Sequence, residues 1–183
     1  MEGIILNSLN FPVLTVTTFL PLAGVLLILL IRNDVLIKWI ALVTTVATCI
    51  VSLPIYTHFD KTTYKMQFAE IHPWIPAWNI NYKVGVDGIS VLFIILVTIL
   101  STLCVAVSWR AIRKKTKEFF ISLLIMETAM IGVFVSLNIF LFYLFWELTL
   151  IPMFFLIGVW GGSNRIYATI KFVLFTLAGS VLM

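Results

Sequence analysis

Charge, histidine and cysteine are all scarce in this chain. Of its 183 residues 62% are hydrophobic and 11% carry charge, with a mean hydropathy of +1.13. Soluble domains carry roughly 25% charged residues, so a water-soluble globular domain is excluded. The two cysteines, Cys49 and Cys104, lie in separate apolar runs without ligand spacing around them. That pattern gives neither an iron–sulphur centre nor a disulfide framework, and both read as small buried hydrophobes. His58 and His72 stand alone outside the apolar runs and read as solvated surface groups rather than ligands. No Gly-rich phosphate loop occurs, so no nucleotide site is expected. The net charge of +4 does not point to nucleic acid, because most basic residues sit between apolar runs, where membrane orientation accounts for them.

What the chain has instead is a series of apolar runs of bilayer length. Residues 11–31 are 21 positions without a charge, too long for the ~7 to 15 residue core of a signal peptide. A second span is predicted over 35–56, with Lys38 snorkelling at its end, and a third over 88–109, capped by Asp87. A fourth covers 119–137, a fifth 138–162, and a sixth begins at Ala168. The fold class is therefore an all-α polytopic transmembrane helix bundle with five complete spans and a truncated sixth. Between the second and third spans, residues 57–83 form an external loop. It carries Trp74 and Trp78 as interfacial aromatics, and segments 67–70 and 79–84 are paired as a short hairpin.

Residues 110–118, RAIRKKTKE, hold five basic side chains and mark the cytoplasmic side. Arg32, Lys38, Arg110, Arg113, Lys114, Lys115, Lys117, Arg165 and Lys171 make nine on that side, against Lys61, Lys65 and Lys83, three, on the other. The N-terminus is placed outside.

Inside the fifth run, NIFLFYLFWELTLIPMFFLIGVWGG, stands one carboxylate, Glu147. A charge at mid-bilayer costs at least ~2.5 to 3.5 kcal/mol, which makes an intramembrane Glu a functional candidate that needs a partner. Pro152, five residues on, lacks an N–H for the carbonyl of Leu148 and predicts a helix break or kink one turn past the acid. Glu127 in the fourth span is a second buried acid. It lies ten residues before Leu137 and Glu147 lies ten after, so two antiparallel helices turning there carry both acids ~15 Å from the turn. Facing each other, they cannot both be charged without an intervening cation. Lys171 is the one candidate in the chain, but it sits close to the basic side, where snorkelling is an equal reading. The partner of Glu147 is expected from outside this chain. The plainer alternative is that these acids only bond neighbouring helices.

The run FLFYLFWELTLIPMFFLIGVWGG, followed by RIYATIKFVLFTLAGS and preceded by YKVGVDGIS, resembles the N-terminal part of the subunit M (chain 4) family of proton-translocating NADH:quinone oxidoreductase, respiratory complex I. That family is related to the large subunits of multisubunit cation/proton antiporters, whose helices repeat in inverted fashion. Family members run to roughly 500 residues with about 14 membrane helices. The resemblance implies that residues 1–183 are the N-terminal part of one antiporter-like membrane domain, a fragment. By position, Glu147 matches the proton-loading glutamate of the family's fifth helix, which pairs with a lysine on the seventh, and Glu127 matches a secondary acid of the fourth. The lysine partner and the later helices lie outside this chain. The resemblance also implies that no cofactor binds here, since NADH, flavin, iron–sulphur clusters and quinone belong to other subunits. The implied partners are the other membrane-arm subunits and the bilayer of a bacterial inner membrane. A sodium/proton antiporter subunit and a structural scaffold with satisfied acids are the alternative readings.

Overall fold

The computed structural model describes residues 4–6, 11–75 and 80–182. Six helices in this part are long and apolar enough to cross a membrane: α1 (Val13–Leu30), α2 (Asp34–Thr57), α3 (Gly88–Ala111), α4 (Thr116–Val135), α5 (Ile139–Trp160) and α6 (Arg165–Leu182). The chain is a multi-pass membrane protein. A lipid solvent offers the backbone no partner, and a helix closes its own hydrogen bonds, so each apolar run becomes one helix. The runs of 18 to 24 residues match the ~20 needed for the hydrocarbon core. The sixth, expected as truncated, starts at Arg165 and reaches 18 residues, the short end of spanning length.

A small three-stranded sheet interrupts the helical class. β1 (Ile4–Leu6) runs parallel to β2 (Met66–Ile75), which pairs antiparallel with β3 (Ile80–Val86). The predicted hairpin exists and is longer than 67–70 against 79–84; Trp78 and Asn79 lie outside the described residues. A bulge between Gln67 and Glu70 puts Phe68 at φ 53° and buries its ring at 4% exposure. The left-handed backbone is tolerated where an extra strand residue and an apolar anchor fix it. The basic segment 110–118 is mostly not a loop, since only 112–115 separate α3 from α4. Lys and Arg are good helix formers and extend their heads to water from a helix end.

Packing divides by depth. At the hairpin end, Val13, Leu14, Ile55, Phe68, Val84, Val91, Ile94, Ile131, Val135 and Phe145 form one apolar cluster. At the opposite end, Val25, Ile28, Ile37, Ala41, Val105, Phe120 and Leu124 form a second. Between them the buried positions turn polar: Thr17 and Thr18 on α1, Thr44, Thr45, Thr48 and Ser52 on α2, Thr98 and Ser101 on α3, Glu127 and Thr128 on α4. Thr17, Thr18, Thr48, Ser52 and Thr98 donate to carbonyls of their own helices, and the Ser52 and Thr98 hydroxyls also meet across α2 and α3 at 3.3 Å.

Helix ends are closed from a distance. Asn33, Asp87 and Asn138 cap α2, α3 and α5, the Asp87 carboxylate accepting from Ser90 N at 2.7 Å. That backbone N–H holds the Asp87 carboxyl below the usual carboxylate range. Helix α1 follows Pro12 and has no cap of its own, and Glu70 of β2 accepts from Leu14 N at 3.0 Å and Thr15 N at 3.2 Å. At the opposite end Lys117 Nζ donates to the carbonyls of Leu29 and Ile31, and Lys38 Nζ to that of Trp109, placing cations on the C-termini of α1 and α3. The turn from α4 to α5 is fixed to the hairpin by Leu137 N donating to Lys83 O at 2.9 Å and Asn138 Nδ2 to Asn81 O at 3.2 Å.

Candidate functional site

Glu147 lies eight residues into α5, ~12 Å from its start, so the carboxylate sits near the middle of the span. It is half-buried and accepts from Ser180 Oγ on α6 at 2.7 Å. The Tyr143 phenol, one turn earlier on the same face, interacts with both Glu147 and Ser180. The carboxylate lines an apolar groove of ≈ 500 Å³ between α5 and α6, walled by Leu148, Ile151, Phe154, Val173 and Leu177. An acid bordered by hydroxyls and open on one apolar side can exchange a proton with whatever closes that side.

The sequence alone gives no reason to single out Ser180. A serine in an apolar run is chemically ordinary, and only the α5–α6 register gives it a carboxylate to bond. Tyr143 carried a signal, since the i−4 spacing puts it on the Glu147 face.

The other candidates take different places. Glu127 is 1% exposed, and neither of its oxygens nor Thr128 Oγ1 has a hydrogen-bond partner among the described residues. It belongs to the polar layer between the two apolar clusters. No hydrogen bond joins it to Glu147, whose partners are Ser180 and Tyr143. The equal-depth geometry therefore does not bring the two acids together as a bonded pair: one is enclosed in the bundle, the other faces a groove.

Pro152 is buried inside α5, which continues without a break from Ile139 to Trp160. The chain therefore stays helical through Pro152, and the break expected there does not occur. A proline removes one backbone donor, and the flanking bonds and the buried packing of the ring keep the helix continuous.

Lys171 is also displaced from the acid. Ser180 pairs with Glu147 and Thr169 lies beside Gly158, which sets α6 antiparallel to α5. Lys171 is nine residues from Ser180, ~13.5 Å along the helix. It is exposed, and its ammonium lies over the rings of Tyr167 and Phe175 at 5.7 and 5.9 Å. Of the two readings, the interfacial one fits, because those rings hold the ammonium far from the carboxylate.

Comparison with known proteins agrees with this architecture. The family model described as NADH:quinone oxidoreductase/Mrp antiporter, TM, matches residues 136–183, the segment holding Glu147 and Ser180. NADH-quinone oxidoreductase subunit M of Rhodobacter capsulatus is 47% identical over 176 residues, 93% of this chain and 34% of that protein. NADH-ubiquinone oxidoreductase chain 4 of Arabidopsis thaliana is 45% identical over 166 residues, 89% of this chain and 34% of the relative. The chain thus spans about a third of the length of these relatives. In structure it is similar to a chain of respiratory complex I from Thermus thermophilus, with a TM-score of 0.76 and 26% identity over 91% of this chain and 33% of that one. A chain of the Mrp complex from Dietzia sp. shares the fold, with a TM-score of 0.72 and 19% identity over 92% of this chain and 18% of that one. The resemblance read from the sequence therefore holds over nearly the whole chain, and the fold is that of antiporter-like membrane subunits.

Proposed function

We propose that this chain is the N-terminal part of a proton-translocating subunit of an NADH:quinone oxidoreductase, in which Glu147 loads the proton. The observation that carries the reading is the placement of Glu147: a mid-span carboxylate, bonded by Ser180, on an apolar groove that further helices can close. The 47% identity to a subunit M supports it. Electron transfer and its cofactors belong, in this reading, to other subunits, and this chain contributes no redox centre. The cationic partner of Glu147 comes from helices beyond these residues, packed on the α5–α6 groove. Glu127, enclosed and without a bonded partner among the described residues, is a secondary acid.

The reading places the subunit in a bacterial inner membrane, beside other membrane-arm subunits, with the hairpin end outward and the Lys114 end inward, as the distribution of basic residues requires.

The test is Glu147→Gln in the full-length subunit within its assembled membrane complex. The substitution keeps shape and hydrogen bonding while removing titration. NADH oxidation coupled to proton pumping falls severely while assembly is retained. Normal pumping by Glu147→Gln overturns the assignment. Co-purification with flavin and iron–sulphur subunits distinguishes the oxidoreductase from a sodium/proton antiporter.

A further inference from the structure

On the face of α2 and α3 turned away from the bundle, two cavities follow one another along the same helix pair. The first, ≈ 450 Å³, lies at the hairpin end, with apolar walls from Phe59, Val91 and Leu92 and a rim that includes Lys61, Lys65 and Tyr64. The second, ≈ 250 Å³, lies deeper, lined by Val46, Cys49, Ile50, Ile99, Thr102 and Leu103 and almost wholly apolar.

Sequence spacing puts the two on one face of the helix pair, in line with each other. On α2, positions 46, 49, 50, 53 and 56 recur at helical intervals of three and four and so share a face. On α3 the same holds for 92, 96, 99 and 103. Val46, Ile50, Leu53 and Tyr56, with Leu92, Leu96, Ile99 and Leu103, are all exposed. From Tyr56 to Val46 is ten residues, ~15 Å, half of a ~30 Å hydrocarbon core. The groove is therefore as long as one leaflet.

Its chemistry changes along that length in the way a phospholipid does. The deep half offers only apolar contact. At the interfacial end Lys61 is exposed, its ammonium lying 5.6 Å from the centre of the Tyr56 ring, and Lys65 is half-buried. The acidic member of the rim, Asp87, has its carboxylate engaged by Ser90 N as the α3 cap. Two cations, against the one carboxylate of Asp87 that is held in the α3 cap, thus stand over an apolar trough at the level where a lipid phosphate lies.

We infer that the α2–α3 groove is a binding site for one anionic phospholipid, its phosphate between Lys61 and Lys65 and an acyl chain along Ile50, Ile99 and Leu103. This inference needs only the membrane fold and stands whether or not the oxidoreductase reading does.

The experiment uses the full-length protein in its complex, reconstituted in phosphatidylcholine vesicles with trace phosphatidylglycerol carrying a photoreactive acyl chain, or with the equivalent phosphatidylcholine probe. Crosslinked residues are mapped by mass spectrometry. The phosphatidylglycerol probe labels the 46–50 and 99–103 segments strongly in the wild type. In Lys61→Gln/Lys65→Gln its affinity there drops roughly tenfold to thirtyfold, and Lys61→Arg/Lys65→Arg restores it. Equal labelling by both probes in wild type and double variant means ordinary lipid contact and overturns the proposal. Absence of labelling, with a partner helix crosslinked to the same residues, overturns it too. Both lysines lie outside the helices, so blue-native migration of the variants checks that assembly is intact.

Discussion

The ring of Phe145 on α5 lies where a side chain on Gly132 of α4 would stand: a Cβ built there meets the ring at 2.3 Å. Small residues let membrane helices approach closely, and Gly132 does so within the α4–α5 hairpin that presents Glu147. Gly132→Ala is expected to destabilise the protein by about 1 to 3 kcal/mol through overpacking. Phe145→Leu in the same chain recovers part of it, since the shorter side chain vacates the space. Thermal unfolding in detergent of the two single variants and the double variant measures the coupling, and additive losses would show that the contact is not shared.

Glu70 is expected to hold α1 in place. With Pro12 ahead of the helix and no side-chain cap of its own, the first turn depends on a carboxylate 55 residues away. Glu70→Ala leaves the buried N–H of Leu14 and the part-buried N–H of Thr15 without an acceptor and costs about 1 to 3 kcal/mol. Glu70→Gln keeps one acceptor oxygen and loses less. Hydrogen exchange at Leu14 and Thr15 reports the effect locally, and unchanged protection in Glu70→Ala would refute it.

The Asp87 cap gives a pH dependence with a definite sign. Its folded carboxyl titrates below its ordinary value of 3.8 because Ser90 N–H bonds the charged form. The stabilisation is fully present above that ordinary value and is lost as pH falls through the folded value. Asp87→Asn keeps a capping oxygen and flattens the acid limb of the stability curve, whereas Asp87→Ala loses about 1 kcal/mol at neutral pH. An identical acid limb in wild type and Asp87→Asn would show that other groups set it.

Orientation is tested by single cysteines in a background lacking Cys49 and Cys104. Thr62 and Lys114 are both exposed and lie at opposite ends of the bundle. A membrane-impermeant maleimide added outside intact cells is expected to label Thr62→Cys and not Lys114→Cys. The reverse pattern would invert the proposed topology. Thr116, two residues further on, is buried at 3% exposure and would be a poor reporter.

The spans were legible in the sequence because bilayer thickness sets their length and hydrocarbon sets their composition. The Asp87 cap was legible because its spacing to Ser90 is local. Glu147 stood out because a lone carboxylate in an apolar run is rare. What pairs across helices was not legible. Ser180 acquires meaning only through the α5–α6 register, and Glu127 and Glu147 share a depth by counting but face different surroundings because helix rotation is set by packing. Pro152 illustrates the same limit, since removing one hydrogen bond does not decide whether a packed helix breaks. Cys104, expected to be buried, is exposed on α3, because an apolar run does not reveal which face meets lipid.

The lysines that close α1 and α3 tie insertion to folding. Lys38 and Lys117 are among the cations whose side of the membrane decides how the chain is threaded, and each also clasps the last carbonyls of a helix other than its own. Moving those charges to redirect the chain would unfasten two helices in the same stroke. A chain redirected in that way would arrive in the membrane with the ends of α1 and α3 unclasped.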